Sequence, residues 1–204
     1  MQSLKNLSEG YGSWLLLGLC AFLFVVFSHF VLQEYLMLPP CEQCVYIRYA
    51  FIVLGIGCWV MAIYPLGMLR YVGILICVYA LIKGISAALV LDEIQQALQS
   101  ETFVFGLKGC SLSPTFDFNL PLDSWIPQLF APLGFCGYDV PIVGEAPLSP
   151  LQEWLITLYS EGWYLIPTLK FGTMAQCALG IFIFYAVVIA ILFLVNFLKK
   201  SNNF

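Results

Sequence analysis

The sequence is poor in charged residues. Only 10% of its 204 residues are Asp, Glu, Lys or Arg, whereas 61% are hydrophobic. A soluble domain carries roughly 25% charged residues, so the composition excludes a soluble globular protein and indicates a membrane protein. The formal net charge of -4 leaves no basic excess to contact phosphates, and we therefore expect no nucleic-acid partner.

The sequence also lacks a cleavable signal peptide, internal repeats and low-complexity segments. Its first apolar run is long enough to cross a bilayer and has no Ala-x-Ala exit, so we expect this run to stay in the protein as a span. His29, near the end of the run, is the single histidine of the chain. We interpret it as an interfacial side chain that bonds to backbone or water.

Apolar runs long enough to cross a membrane recur along the chain. A helix needs about 20 apolar residues to cross about 30 Å of hydrocarbon, and such runs occupy about 14–32, 45–63, 71–91 and 174–198. The sequence therefore predicts an all-α membrane protein, a four-transmembrane-helix bundle in which residues 1–204 form a single membrane domain. The loops at about 33–44 and 92–172 lie on the same side of this bundle.

The basic residues predict the orientation of the bundle. Lys and Arg are enriched in cytoplasmic loops and ends, and in a four-span arrangement one side carries Lys5, Arg70, Lys199 and Lys200. We therefore expect both termini to be cytoplasmic. The loops 33–44 and 92–172 then face an outer, oxidising compartment.

The predicted topology divides the eight cysteines into two groups. Four lie inside spans, and we interpret them as small buried apolar residues: Cys20, Cys58, Cys77 and Cys177. The other four lie in the two outer loops: Cys41, Cys44, Cys110 and Cys136. Cysteines on an oxidising side form disulfides or take part in thiol–disulfide exchange.

Cys41 and Cys44 form a Cys-x-x-Cys at the start of the second span. Pro39 and Pro40 cannot lie inside a helix, so we expect the helix to begin at or just after Cys41, with Cys44 in its first turn. The free backbone N–H groups and the helix dipole there favour the thiolate form of Cys44. A short Cys-x-x-Cys loop is typical of reversible exchange, although a purely structural disulfide stays open.

Arg48 follows Cys44 by one helical turn, on the same face of the helix. It lies just inside the apolar region, where a charge is costly without a partner. A polar ligand at the membrane surface, such as a quinone carbonyl, would supply that partner. The alternative is that the Arg48 side chain extends to lipid headgroups. For Lys83, in the third run, we expect either that it faces the bundle or that it extends to headgroups in the same way.

Cys110 and Cys136 lie in a long outer loop rich in Gly and Pro. Taken alone, a disulfide in such a loop is usually structural. Two cysteine pairs on one side, one at the membrane and one in a loop, instead indicate a relay in which electrons pass by thiol–disulfide exchange. The four cysteines are also a possible zinc ligand set, but the loop cysteines do not form a second Cys-x-x-Cys, so we expect no metal site.

Two stretches of the long loop have apolar residues at helical spacing. Residues 148–165 predict an amphipathic helix, either on the membrane surface or packed into the protein. Residues 123–130 predict a shorter helix of the same kind.

Several motifs together resemble a known family, the DsbB family of bacterial disulfide-bond formation proteins, and especially its DsbI branch. They are Gly12-x-Trp14-Leu15-Leu16, Cys41-x-x-Cys44-x-Tyr46-x-Arg48, Leu69-Arg70-Tyr71-Val72, Pro121-Leu122-Asp123-x-Trp125-x-Pro127-Gln128 and Gly180-Ile181-Phe182-Ile183. The resemblance covers most of the chain. It implies four spans with a long periplasmic loop, in the bacterial inner membrane, and both cysteine pairs in the periplasm.

The resemblance also implies a role for each site residue. Cys44 is similar to the cysteine that meets a quinone, either ubiquinone or menaquinone, and Cys41 to its disulfide partner, which is open to attack from the loop pair. Cys110 resembles the cysteine that forms a mixed disulfide with a periplasmic thioredoxin-fold oxidase of the DsbA or DsbL type, and Cys136 its partner. Arg48 matches the quinone-site arginine of the family.

The chain departs from the family pattern at three places. Ile47 stands where a Glu often precedes the arginine, and Leu91 and Asp92 stand about where a quinone-side histidine is expected. The loop 137–172 is longer than in the usual DsbB, as in the DsbI branch.

The sequence thus predicts a quinone-dependent protein-dithiol oxidase. The main alternative is a structural or adhesion tetraspan membrane protein whose disulfides brace its outer loop. A metal-handling membrane protein and a transporter are two further alternatives, and the small number of spans and of intramembrane charges disfavours the transporter.

Overall fold

The computed structural model describes residues 11–63, 68–99, 110–144 and 147–201. Lys5 lies outside these residues, and so do the side chains of Lys199 and Lys200.

Four long helices form the body of the protein. They are α1 (Tyr11–Phe27), which continues as a π-helix over Ser28–Tyr35, α2 (Glu42–Ile63), α3 (Met68–Gln99) and α7 (Met174–Ser201). The segments long and apolar enough to cross a membrane are Gly12–Tyr35, Glu42–Ile63, Met68–Leu98 and Met174–Val195. The predicted all-α architecture with four spans is confirmed.

Helix α2 lies at the centre of the bundle, where it packs against both α1 and α3. Helix α7 packs against α3 and also reaches the other two helices. Phe182 of α7 stacks on Phe51 of α2, with ring centroids 4.3 Å apart, and the buried hydroxyl of Tyr185 donates to the carbonyl of Leu17 in α1 at 2.9 Å. Large apolar side chains such as Leu75 and Phe184 are exposed, as a lipid-facing surface requires.

Helix α3 runs further than its apolar composition predicts. The sequence predicts that the span ends at about Leu91, with Asp92 and Glu93 at its exit, and the helix itself continues to Gln99. Leu91 and Ile94, which lie on either side of these acids, are both buried and are spaced as on one helix face. The packed apolar face of the helix therefore continues past Asp92 and Glu93. The outer end of α3 therefore stands above the span and supports the loop that follows.

The outer segment contains the two single-turn helices α4 (Leu122–Trp125) and α5 (Pro127–Phe130). The sequence predicted one short helix over 123–130. The break falls at Ile126, whose φ of -135° is not helical, because the following proline disfavours the helical conformation in the residue before it.

The longer loop helix is α6 (Pro150–Leu158), and no residue in it is buried. The alternative of a helix packed into the protein is therefore wrong, whereas a position on the membrane surface stays a prediction. Ser149 caps the helix, since its hydroxyl accepts from the Gln152 N–H at 3.3 Å.

The sequence did not predict the short antiparallel strand pair that joins α6 to α7. Strands β1 (Tyr164–Ile166) and β2 (Phe171–Thr173) are linked by a 3₁₀ turn, and Tyr164 pairs with Thr173. Lys170 and Gly172 have positive φ values of 48° and 76°. This hairpin ends where α7 begins.

Candidate active site: two disulfides at one end of the bundle

Cys41 and Cys44 form a disulfide at the first turn of α2, with their Cα atoms 5.0 Å apart. Cys41 occupies the N-cap position. Its carbonyl accepts from the Val45 N–H at 3.0 Å, and its sulfur accepts from the Cys44 N–H at 3.2 Å. The helix thus begins directly after Cys41 and places Cys44 in its first turn, as the proline pair predicts.

Cys110 and Cys136 form the second disulfide, with Cα atoms 5.6 Å apart. The Cys136 N–H donates to the Cys110 sulfur at 3.1 Å. The two cysteines differ in accessibility, because Cys136 is buried with 4% of its surface exposed and Cys110 is only half-buried. An approaching thiol therefore reaches Cys110 more easily than Cys136.

Backbone hydrogen bonds join the segments that carry the two disulfides. The carbonyl of Pro40, the residue before Cys41, accepts from the N–H groups of Leu133 and Gly134 at 2.8 and 3.1 Å. Close to this contact, a Cβ atom on Gly134 would stand 2.8 Å from the Pro39 carbonyl oxygen. Cys41 and Cys136 belong to one buried cluster, against which the side chains of Cys44 and Cys110 also pack.

The carboxylate of Glu42 joins the loop to α2 a second time. One of its oxygens accepts from the Tyr46 hydroxyl at 2.9 Å and the other from the Ser111 N–H at 2.7 Å. The Tyr46 hydroxyl accepts in turn from the Thr115 N–H at 2.9 Å. We call Glu42 and Tyr46 the loop clamp, because together they bind the segment that begins at Cys110.

Arg48 is buried, with 4% of its surface exposed, and its hydrogen bonds all go to neutral acceptors. It donates to the Ser28 hydroxyl at 2.7 Å, to the Ser28 carbonyl at 3.2 Å, to the Gln33 side-chain oxygen at 2.7 Å and to the Leu129 carbonyl at 3.3 Å. The alternative in which Arg48 extends to lipid headgroups is therefore wrong. Gln33 also contacts His29, whose Nδ1 lies 3.4 Å from the Gln33 oxygen.

Between Cys44 and Arg48 is a small cavity of about 20 Å³, which Asp139 and Met174 also line. Space of this size holds about one water molecule. The Arg48 bonds account for four of its five N–H donors, so one donor remains for a ligand. A donor in a cavity that Cys44 also lines fits a quinone carbonyl chemically, and a ring would enter only after the apolar lining moves.

Asp139 is the acidic residue of this small cavity. Burial raises the pKa of Asp139 to about 6, against the opposing effect of its hydrogen bond from Gln95. Its carboxyl group therefore holds its proton to a higher pH than an exposed aspartate does.

A larger cavity of about 510 Å³ lies on the opposite face of α2 and is lined by Glu42, Tyr46, Tyr49, Lys83 and Asp117, among others. Lys83 extends toward the outer loop, where its ammonium group lies 2.7 Å from the Asp117 carboxylate. Burial acts to raise the pKa of Asp117, but the hydrogen bonds from Lys83 and Tyr79 outweigh it and the pKa is lowered. Neither Cys44 nor Arg48 lines this cavity, so it is separate from the disulfides.

Within the described residues, no three His, Cys, Asp or Glu side chains are grouped as metal ligands. The four outer cysteines are paired as disulfides, whereas zinc binds thiolates. Of the four cysteines in spans, Cys58 and Cys77 are buried and Cys20 and Cys177 are half-buried.

Sequence reasoning missed several residues that hold this site. Glu42 and Gln33 look like ordinary surface residues of a loop, and Ser28 like a minor polar residue of a span. The signal that was available is the cost of burying Arg48, which requires acceptors nearby. This cost does not identify the residues that supply the acceptors, because Ser28 and Leu129 are 20 and 81 positions from Arg48 in the sequence.

Comparison with known proteins agrees with this arrangement. Residues 11–192 match the family model described as "Disulfide bond formation protein DsbB". The "Protein-disulfide oxidoreductase DsbI" of Escherichia coli O6:K15:H31 is 44% identical over 172 residues, which cover 81% of this chain and 77% of the relative. The protein of the same name from Salmonella typhimurium strain LT2 is also 44% identical over 172 residues, with 81% and 76% covered. A DsbI from Campylobacter fetus subsp. fetus is 43% identical over 190 residues, with 92% and 86% covered. The chain belongs to the family of disulfide bond formation protein DsbB.

Proposed function

We propose that this protein is a protein-dithiol:quinone oxidoreductase of the bacterial inner membrane. It reoxidises a periplasmic thioredoxin-fold oxidase of the DsbA or DsbL type and passes the electrons to ubiquinone or menaquinone. Both termini are cytoplasmic and both cysteine pairs are periplasmic in this proposal. The observation that carries it is that backbone hydrogen bonds join the loop segment just before Cys136 to Pro40, the residue before the disulfide at the start of a membrane-spanning helix.

The first step takes place at Cys110. A thiolate of the reduced partner attacks the Cys110 sulfur, and Cys136 leaves as a thiolate. The second thiol of the partner then displaces Cys110, so the partner leaves as a disulfide and the loop pair is a dithiol. The half-buried position of Cys110, beside the buried Cys136, supports this order of attack.

The second step moves the electron pair from the loop to the membrane. The Cys136 thiolate attacks Cys41, with which it shares a buried cluster, and Cys44 leaves as a thiolate. Cys110 then attacks Cys136 to restore the loop disulfide, and Cys41 is released as a thiol. Cys44 is a good leaving group because the backbone N–H groups of the first helical turn favour its thiolate.

The third step takes place between Cys44 and Arg48. A bound quinone supplies a two-electron acceptor of higher potential, and each ~30 mV of potential difference is worth ~1.4 kcal/mol. Arg48 orients the acceptor through its remaining N–H donor. The Cys41 thiol and the Asp139 carboxyl group, which lines the same cavity, would supply the two protons of the quinol, and the Cys41–Cys44 disulfide would form again as the electron pair leaves.

Replacing the cysteine nearest the acceptor tests the proposal. We expect Cys44→Ala to abolish the reduction of a short-chain ubiquinone or menaquinone by reduced thioredoxin-fold partner, measured by absorbance in detergent. Cys177→Ala is the control and should keep full turnover, because Cys177 is a free cysteine of α7. Undiminished turnover in Cys44→Ala would contradict the proposal.

The structural tetraspan alternative predicts a different redox behaviour. Its disulfides would resist cycling under mild reductant, and purified protein would contain no quinone. Extraction of the purified protein, followed by chromatographic analysis of the quinone, separates the two functions and identifies which quinone is used.

A further inference from the structure

We propose that Glu42 and Tyr46, the loop clamp, are positioning residues that hold the loop disulfide against Cys41. The inference deepens the proposed electron relay and rests on it. The clamp has no part in the chemistry of exchange itself. It determines how often the loop cysteines stand close enough to Cys41 to react.

Glu42 is suited to this task by its place and its burial. It directly follows Cys41 and has 8% of its surface exposed. Its carboxylate is shared between two elements, because one oxygen is bonded within α2 by Tyr46 and the other is bonded by the Ser111 N–H of the loop. Hydrogen bonds to a buried ionised acceptor are stronger than neutral ones, so this contact fixes the residue next to Cys110.

Tyr46 adds a second point of attachment one turn along the same face. Its hydroxyl donates to Glu42 and accepts from the Thr115 N–H. The ring of Tyr46 also packs edge to face on Phe116, with centroids 5.8 Å apart. The loop segment from Ser111 to Phe116 is thus bound to α2 by two polar contacts and one aromatic contact.

The Cys136 side of the loop is held by contacts that do not involve the clamp, such as backbone hydrogen bonds and the bond from Gln95 to Asp139. Leu133 and Gly134 donate to the Pro40 carbonyl, and no side chain takes part in those bonds. Side-chain substitution in the clamp therefore loosens one half of the loop disulfide and leaves the other half attached. Orientation of two reacting groups is worth large factors in rate, so loosening predicts slower exchange with Cys41.

A variant that keeps only Cys41 and Cys136 of the four outer cysteines measures this positioning without quinone or partner. Cys44→Ala and Cys110→Ala together leave Cys41 and Cys136 as thiols in the shared cluster. Diamide then oxidises the two thiols to a Cys41–Cys136 disulfide and is itself reduced to the hydrazine with two protons. Quenched samples are treated with a maleimide label, and the rate of disulfide formation is read by mass spectrometry.

We expect Glu42→Ala in this background to slow formation of the Cys41–Cys136 disulfide roughly tenfold, since two hydrogen bonds to a charged group are lost. Tyr46→Phe should slow it about threefold, because only the hydroxyl is removed. The matched control is Glu34→Ala, which removes an exposed acid near the end of the π-helix and should not change the rate.

A structural role alone would lower thermal stability without a selective effect on this rate. Hydrogen exchange at the Ser111 and Thr115 amides supplies the second readout, and we expect at least tenfold faster exchange there in Glu42→Ala, with the amides of α2 unchanged. An unaltered disulfide rate in both Glu42→Ala and Tyr46→Phe overturns the inference. Failure of the unmodified protein to reduce quinone would instead overturn the proposed function.

Discussion

The Nη1 atom of Arg48 donates to the side-chain oxygen of Gln33 at 2.7 Å, and this bond joins α2 to the π-helical end of α1. The same guanidinium reaches Leu129 in the outer segment. One buried cation thus connects three elements directly beneath the Cys41–Cys44 disulfide.

The fork-shaped arrangement of the Arg48 bonds predicts that lysine is a poor replacement. A lysine ammonium carries all its N–H donors on one nitrogen atom, so it cannot donate to Ser28, Gln33 and Leu129 at the same time. We expect Arg48→Lys to destabilise the protein by about 1–3 kcal/mol and to raise the KM for quinone more than it lowers kcat. Denaturation in detergent micelles and steady-state kinetics measure the two effects.

Arg70→Lys is the control for this change, because Arg70 lies near the start of α3 and outside the disulfide site. Equal effects of the two substitutions on quinone KM would show that Arg48 has no particular role toward the quinone.

Gly134→Ala should separate the two disulfides. The added Cβ would meet the Pro39 carbonyl oxygen at 2.8 Å and the Pro39 ring at 3.0 Å, closer than atoms pack, so the loop must move away from Cys41. Overpacking of this kind costs about 1–3 kcal/mol. We expect slower transfer from the loop pair to Cys41–Cys44, measured by rapid quenching and thiol labelling after mixing with dithiothreitol.

Gly144→Ala provides the comparison in the same loop, because nothing lies within 4 Å of a Cβ placed there. It should leave both stability and transfer unchanged. If Gly134→Ala transfers electrons as fast as Gly144→Ala does, close contact at Pro39 is not needed for the relay.

The elements that the sequence predicts well are those that depend on local patterns. The four spans follow from apolar length, and the start of α2 at Glu42 follows from Pro39 and Pro40. The continuation of α3 to Gln99, beyond the predicted span, could not be read from apolar length, because a charged pair does not end a helix while one face stays packed. The hairpin before α7 has no strong alternation to reveal it.

The partners of the site residues could not be predicted from local patterns. Glu42 reads as an exposed acid, but Ser111 lies 69 positions further along the chain and supplies its buried hydrogen bond. Such pairs depend on how the loop folds back over the helix ends. Spacing along one helix predicts that Cys44 and Arg48 share a face, whereas it says nothing about what covers that face.

The raised pKa of Asp139 predicts that its contribution to stability depends on pH. The folded pKa of about 6 exceeds the ordinary value of 3.8, so between these values the folded state binds more protons than the unfolded state. The free energy of unfolding should therefore fall as the pH rises from about 4 to about 6, with the full destabilisation present above that range. One unit of pKa is worth about 1.4 kcal/mol.

Asp139→Asn should remove this dependence. Because the side chain is half-buried, solvent screening reduces the effect, and we expect the variant to gain about 1 kcal/mol at pH 7.5 and nothing at about pH 3, below both pKa values. Chemical denaturation at both pH values measures the change in the free energy of unfolding, with Asp123→Asn as the control. A gain that is equal at the two pH values would mean that charge burial is not its cause.

Helix α6 is expected to lie on the membrane surface. Leu151, Trp154 and Leu158 are exposed by 60%, 60% and 37% of their surfaces, and their spacing places them on one helix face. The helix is attached at the level of the membrane boundary, because the Gln152 side chain donates to the carbonyl of Tyr35 at 2.8 Å, where the first span ends. Tryptophan favours this interfacial depth.

Lipids brominated along their acyl chains quench nearby indole fluorescence and so test this position. In proteoliposomes we expect such lipids to quench part of the fluorescence. Trp154→Phe should reduce the quenched part, because Trp154 would contact lipid directly, and the exposed Trp59 of α2 should account for the rest. Trp125→Phe is the comparison, since Trp125 is equally exposed, at 63%, on a different helix of the loop. Quenching of Trp154 by aqueous acrylamide alone would place α6 in water and leave its apolar face for a protein partner.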